Sequence, residues 1–141
     1  MSEEKGKVIP FRQGASFFNK RGVKEMGKND LVGALYQFRR AYQDDPNNVD
    51  TCLSIAEILS QMQRFEESNR LLFRLLSQDD PSPEILFGLA CNFYGIHEFE
   101  YAAQCLERYL DEEPDGAYAY EAEDFLDFLE GSQNTVKALL H

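Results

Sequence analysis

Apolar residues recur along nearly the whole chain at the spacing of a helix face, not at the alternation of a strand. Leu86, Leu89, Ala90 and Phe93 fall at i, i+3, i+4 and i+7. A second periodic stretch runs through Phe99, Ala102, Ala103, Leu106, Tyr109 and Leu110. Gly95-Ile96-His97 breaks the two apart, and Glu113-Pro114-Asp115-Gly116 ends the second. Proline disfavours helix in the residue before it, and glycine permits a sharp turn. Ser82 is placed to cap the first helix, with Pro83 at its first position.

This two-helix plan repeats every 34 residues. The step relates Gly22, Ala56 and Ala90; Ala34, Ser68 and Ala102; and Phe38, Leu72 and Leu106. It also relates Phe18, Cys52 and Leu86, and Leu31, Phe65 and Phe99, so that Phe18, Phe38, Phe65, Phe93 and Phe99 are expected to pack within the helix hairpins. Units are expected at 15–48, 49–82 and 83–116, with internal breaks at Gly27-Lys28-Asn29 and Gln61-Met62-Gln63. Antiparallel helices approach closely only where side chains at their crossing are short. The columns led by Gly22 and Ala34 supply that, while Phe38, Leu72 and Leu106 fill the space between hairpins. A lone hairpin cannot bury its apolar stripe, so stacking supplies the stability.

These columns resemble the tetratricopeptide repeat family. Leu86, Leu89-Ala90, Phe93, Ala102, Leu106 and Pro114 match its pattern in the third unit, as do Phe18, Gly22, Ala34, Phe38, Ala41 and Pro46 in the first. Arg21, Glu25, Leu75 and Tyr109 depart from it. The resemblance covers about residues 15–116 and implies an all-α fold, a right-handed superhelical stack of antiparallel helix hairpins. Beyond it, residues 117–141 form an acidic amphipathic helix from Tyr118 to Leu129. A break at Gly131-Ser132 and the start of a further helix are expected to follow. That segment either caps the stack or opens a repeat that continues. Residues 1–14 are expected to be a mobile tail outside the repeats.

Charge adds direction to this picture. The chain has 141 residues and a formal net charge of −11. Residues 1–47 carry nine bases and six acids, a net of +3, and residues 48–141 carry five bases and nineteen acids, a net of −14. Nine acids and no base lie between Asp111 and Glu130. Such a surface repels phosphate backbones, so no nucleic-acid partner is expected. No apolar run is long enough to span a membrane, and the first fifteen residues lack a secretory core. A cytoplasmic location follows as an expectation, with no membrane partner. Cys52, Cys91 and Cys105 are too scattered for a zinc site and are expected to be free thiols.

Little of the chain invites catalysis. It has no phosphate-binding glycine loop, metalloprotease helix or nucleophile elbow. The carboxylate pairs Glu66/Glu67 and Glu112/Glu113 suit a solvated face. No cofactor, metal or catalytic residue is assigned, and the chain is not expected to be an enzyme.

Binding is the stronger expectation, because first helices of stacked hairpins line a concave face. Phe87, Cys91 and Tyr94 lie at i, i+4 and i+7, away from Leu86, Leu89, Ala90 and Phe93. Tyr118, Glu121 and Phe125 occupy similar positions on the next first helix, and Glu57 and Glu84 supply acidic neighbours. Two uses are open for these aromatics: cover by the C-terminal segment or a second copy, or capture of a basic, apolar partner peptide. Some members of the family hold acidic chaperone tails in a clamp of Lys, Asn and Arg. The matching positions here include Asn19, Val23, Ser54, Glu84 and Gly88, which disfavours that specialism. The resemblance leaves two further roles. One is a small acidic chaperone for a secreted partner. The other is a scaffold forming homo-oligomers, with the stripe of Lys20, Arg21, Lys24 and Lys28 meeting the acidic end of another copy.

Overall fold

The computed structural model describes residues 15–140, without the side chains at 15–18, 133, 134 and 136. The expected tail at 1–14 and the packing expected of Phe18 lie outside the described residues. Within them the regular structure is all helical: α1 (Ala15–Gly27), α2 (Leu31–Asp44), α3 (Val49–Gln61), α4 (Phe65–Leu76), α5 (Glu84–Gly95), α6 (Phe99–Glu112) and α7 (Ala119–Leu140). The chain forms two compact units, which meet within α3 between Ile58 and Leu59.

The helix ends show why the chain turns every 34 residues. Asn29, Gln63 and His97 stand in the left-handed region, with φ of 61°, 62° and 64°. Their N–H groups donate to Met26, Ser60 and Tyr94 carbonyls at 2.9, 2.9 and 3.0 Å. The next residues, Asp30, Arg64 and Glu98, donate to Glu25, Leu59 and Phe93 at 2.9, 2.8 and 2.8 Å. This paired pattern satisfies the last carbonyls of a helix and reverses the chain. Asp30 then accepts from the Gly33 N–H at 2.9 Å and caps α2, whereas Arg64 and Glu98 make no side-chain cap.

In the first unit α1 packs on α2. Gly22 is required there, since a Cβ at that position would stand 2.6 Å from the Phe38 ring, which is itself buried. Ala34, Leu35 and Ala41 complete the buried face of α2. Asn48 accepts from the Thr51 N–H at 3.1 Å and so caps α3, and the Thr51 hydroxyl donates to the Asn19 side-chain carbonyl at 2.9 Å.

In the second unit α5 packs against α4 and α6, and α6 against α7. Leu86, Ala90, Ala102, Leu106, Tyr109, Ala122 and Leu129 form its buried core. One buried polar group sits beside it. Asn92 on α5 donates to the Ser68 hydroxyl and the Asn69 side-chain carbonyl of α4, each at 2.8 Å, and accepts from the Ser60 hydroxyl. A buried amide is tolerable when its donors and acceptor are all engaged.

Two expectations need correction. The break at Gly131-Ser132 is absent: α7 runs unbroken for 22 residues. Glycine lowers helix propensity by only ~1 kcal/mol, and no proline follows it, so hydrogen bonding on both sides carries the helix through. Ser82 does not cap α5 with its side chain. Pro83 holds the cap position without a side-chain bond, and the Ser82 hydroxyl is turned to the Glu84 carboxylate.

Candidate aromatic interaction site

α5 supplies the floor of the candidate site. Its buried side, Ile85, Leu86, Leu89 and Ala90, fixes the helix, so Phe87, Cys91 and Tyr94 fall on the remaining face. Phe87 and Cys91 are half-buried there, and Tyr94 is 39% exposed. The chain returning from α6 brings Tyr118 onto Phe87, the rings stacked at 5.0 Å and 18°. Stacking at this separation adds ~1 kcal/mol beyond burial.

Tyr109 holds this pair in place. Its fully buried ring meets Phe87 edge-on at 6.4 Å, and its hydroxyl accepts from the Tyr118 N–H at 2.9 Å. A Cβ at position 116 would lie 2.6 Å from that hydroxyl, so Gly116 makes room for it. Tyr109 departs from the repeat pattern, where alanine is usual, and the departure anchors the site. Sequence reasoning noted the mismatch without assigning it a role.

A second cluster surrounds Tyr94. Its ring centroid lies 5.6 Å from Phe99, 5.4 Å from Phe125 and 6.1 Å from Phe128, the last two edge-on. Phe99 was expected inside a hairpin, but it is solvent-exposed and belongs to this cluster. Phe128 was not singled out in the sequence, although it follows Phe125 by three residues on the same helix. α7 therefore covers part of the aromatic face and leaves part open: Tyr118 stays 38% and Phe128 54% exposed. Beside Tyr94 a cavity of about 610 Å³ opens, lined also by Phe99, Glu100, Phe128, Leu129, Ser132 and Lys137.

The acids differ in how they relate to these rings. Glu121 is exposed on the first turn of α7, and half-buried Glu84 starts α5 with the Ser82 hydroxyl beside it. Glu57 is exposed on α3 and belongs to the first unit, while the rings belong to the second. Burial pushes the Cys91 thiol above its ordinary value of 9.0, which keeps it neutral and poorly nucleophilic. Cys105 shifts the same way through burial, partly opposed by Arg108. All three cysteines are free thiols. No group of three or more His, Cys, Asp or Glu among the described residues is arranged to hold a metal ion. None of the helices among them is long and apolar enough to cross a membrane.

The profile of the tetratricopeptide repeat matches residues 25–90. That stretch is tetratricopeptide repeat. Over 135 residues the chain is 27% identical to the TPR repeat-containing protein YvcD of Bacillus subtilis strain 168. The match takes in 95% of this chain but only 28% of the length of YvcD. Among solved structures, the MamA protein superposes with a TM-score of 0.70 at 22% identity, over 84% of this chain and 63% of that one. The first TPR of Spaghetti (RPAP3), solved with the HSP90 peptide SRMEEVD, gives 0.76 at 16% identity, over 90% and 98%. The tetratricopeptide fold thus extends past residues 25–90 to most of the described chain.

Proposed function

We propose that this chain is a non-catalytic, cytoplasmic interaction module. It captures a basic, apolar peptide or helix of a partner protein on the aromatic face of the second unit. The observation that carries this reading is the pair of part-open ring clusters, Phe87–Tyr118 and Tyr94–Phe125–Phe128, in a segment dense with carboxylates. Aromatic side chains that are rigidly held yet open offer contact area at low entropic cost, and binding energy concentrates on such residues. Nearby acids raise the encounter rate of basic ligands and reject acidic ones.

The RPAP3 neighbour supports peptide capture on this fold, but its ligand SRMEEVD is acidic. The present chain offers the opposite charge. Its Asn19 side-chain carbonyl is bound by Thr51, and Glu84 stands where a base would serve an acidic tail. A panel of basic-apolar and acidic-apolar peptides of equal length, titrated by fluorescence anisotropy, tests the assignment. Binding is expected for the basic set alone, weakened at least tenfold by Tyr118→Ala and several-fold by Glu121→Lys. Preference for the acidic set, or full retention of binding by both folded variants, would overturn it.

A further inference from the structure

The final turns of α7 extend the ring cluster of Phe125 and Phe128 into a further apolar surface toward the end of the helix. Phe125, Phe128, Ser132, Thr135 and Leu139 follow one another at intervals of three, four, three and four residues, the spacing of a coiled-coil seam. Phe125 is engaged by Tyr94, but Phe128 is 54% exposed, Leu139 81% and Leu140 79%. Gly131, Ser132, Thr135 and Ala138 leave low relief between these apolar ends. A Cβ at Gly131 would meet nothing within 4 Å, so a second helix can approach the backbone closely. The 610 Å³ cavity opens at Phe128 and Leu129, at the start of this low stretch.

We propose that the occupant is a second copy of this chain, its α7 laid antiparallel along the seam. The register follows from the residues themselves. A two-fold axis midway between positions 133 and 134 sets Phe128 opposite the partner's Leu139 and Ser132 opposite the partner's Thr135. Each contact occurs twice, as an isologous interface requires. The apolar end of each helix then reaches the level at which the other's cavity opens, and Leu139 and Leu140 fill it. Charge selects the direction. Residues 119–130 of α7 hold five acids and no base, while 131–140 hold Lys137 and no acid. Parallel pairing would lay five acids beside five. Antiparallel pairing sends the acidic segments to opposite ends. The overlap spans 127–140, about 21 Å of helix at 1.5 Å per residue, a short contact typical of a weak dimer.

Sedimentation velocity of the full chain from ~10 to ~500 µM tests the proposal in the range expected of a small interface. A reversible monomer–dimer equilibrium is expected. Leu139→Asp should raise its dissociation constant at least tenfold without moving the melting midpoint, since that side chain is almost wholly in solvent. Mixing Ser132→Cys and Thr135→Cys chains under mild oxidation should give the mixed disulfide in preference to either homodisulfide. A wild type that stays monomeric throughout, a dimer indifferent to Leu139→Asp, or preferential Thr135→Cys homodisulfide, the mark of parallel pairing, would each overturn it. Tyr118→Ala, which weakens peptide capture, should leave the dimer intact, so failure of one reading is separable from failure of the other.

Discussion

At the scale of single residues, the chain holds two kinds of local compromise. Gln63 and His97 occupy the left-handed conformation that closes each hairpin, where an L side chain costs ~1–2 kcal/mol. Glycine would remove that strain at the expense of ~0.4–1 kcal/mol of added freedom in the unfolded chain. His97→Gly is therefore expected to stabilise the protein by up to ~1 kcal/mol in urea unfolding, and Asn29→Gly by less, since asparagine tolerates this region. Tyr109 shows the reverse case, a residue whose polar tip is indispensable. Tyr109→Phe keeps the ring beside the stacked Phe87 and Tyr118 but leaves the Tyr118 N–H without its acceptor. A loss of ~1 kcal/mol is expected, with faster amide exchange at Tyr118. Unchanged exchange would show that water replaces the hydroxyl.

At the scale of the element, most of the hairpin plan was legible in the pattern. Gly22, Ala56 and Ala90 on first helices and Ala34, Ser68 and Ala102 on second helices are all buried, as the period of 34 required. Ala90→Leu should overpack the core it shares with Ala102 and Leu106 and cost ~1–3 kcal/mol, read as a lower melting midpoint. Other features escaped, each for a physical reason. The continuation of α7 past Gly131 depends on a balance of ~1 kcal/mol, too small for one glycine to decide. Asn92 interrupts an apolar helix, and its burial becomes intelligible only when Ser60, Ser68 and Asn69 are seen around it. Phe87, Tyr94, Tyr118 and Phe125 were visible as helical spacing on α5 and α7. Their neighbours Tyr109, Phe99 and Phe128 were not, because spacing within one helix carries no information about which face of another will meet it. Phe99 illustrates this: it sits in the column of Leu31 and Phe65, yet lies against Tyr94 at the surface.

At the scale of the whole molecule, the charge asymmetry of the sequence carries over to the structural boundary. Residues 59–141, the second unit, hold five bases and seventeen acids, a net of −12, against +1 for residues 1–58. Nearly all the negative field thus originates in the unit that carries the aromatic clusters. A basic peptide approaching those rings is drawn by that field while still far from contact, and held by ring contacts once docked. The two effects separate kinetically, since long-range attraction acts on association and short-range packing on dissociation. The screening length falls from ~30 Å at 0.01 M salt to ~8 Å at 0.15 M, less than the breadth of the unit. Association of a basic-apolar peptide measured by stopped flow should therefore slow roughly tenfold over that range, with dissociation changing little. A neutral peptide of the same apolar sequence should associate slowly at both salts. Should dissociation instead carry the salt dependence, the acids would be in direct contact with the bound peptide, and the rings would not be the main source of affinity.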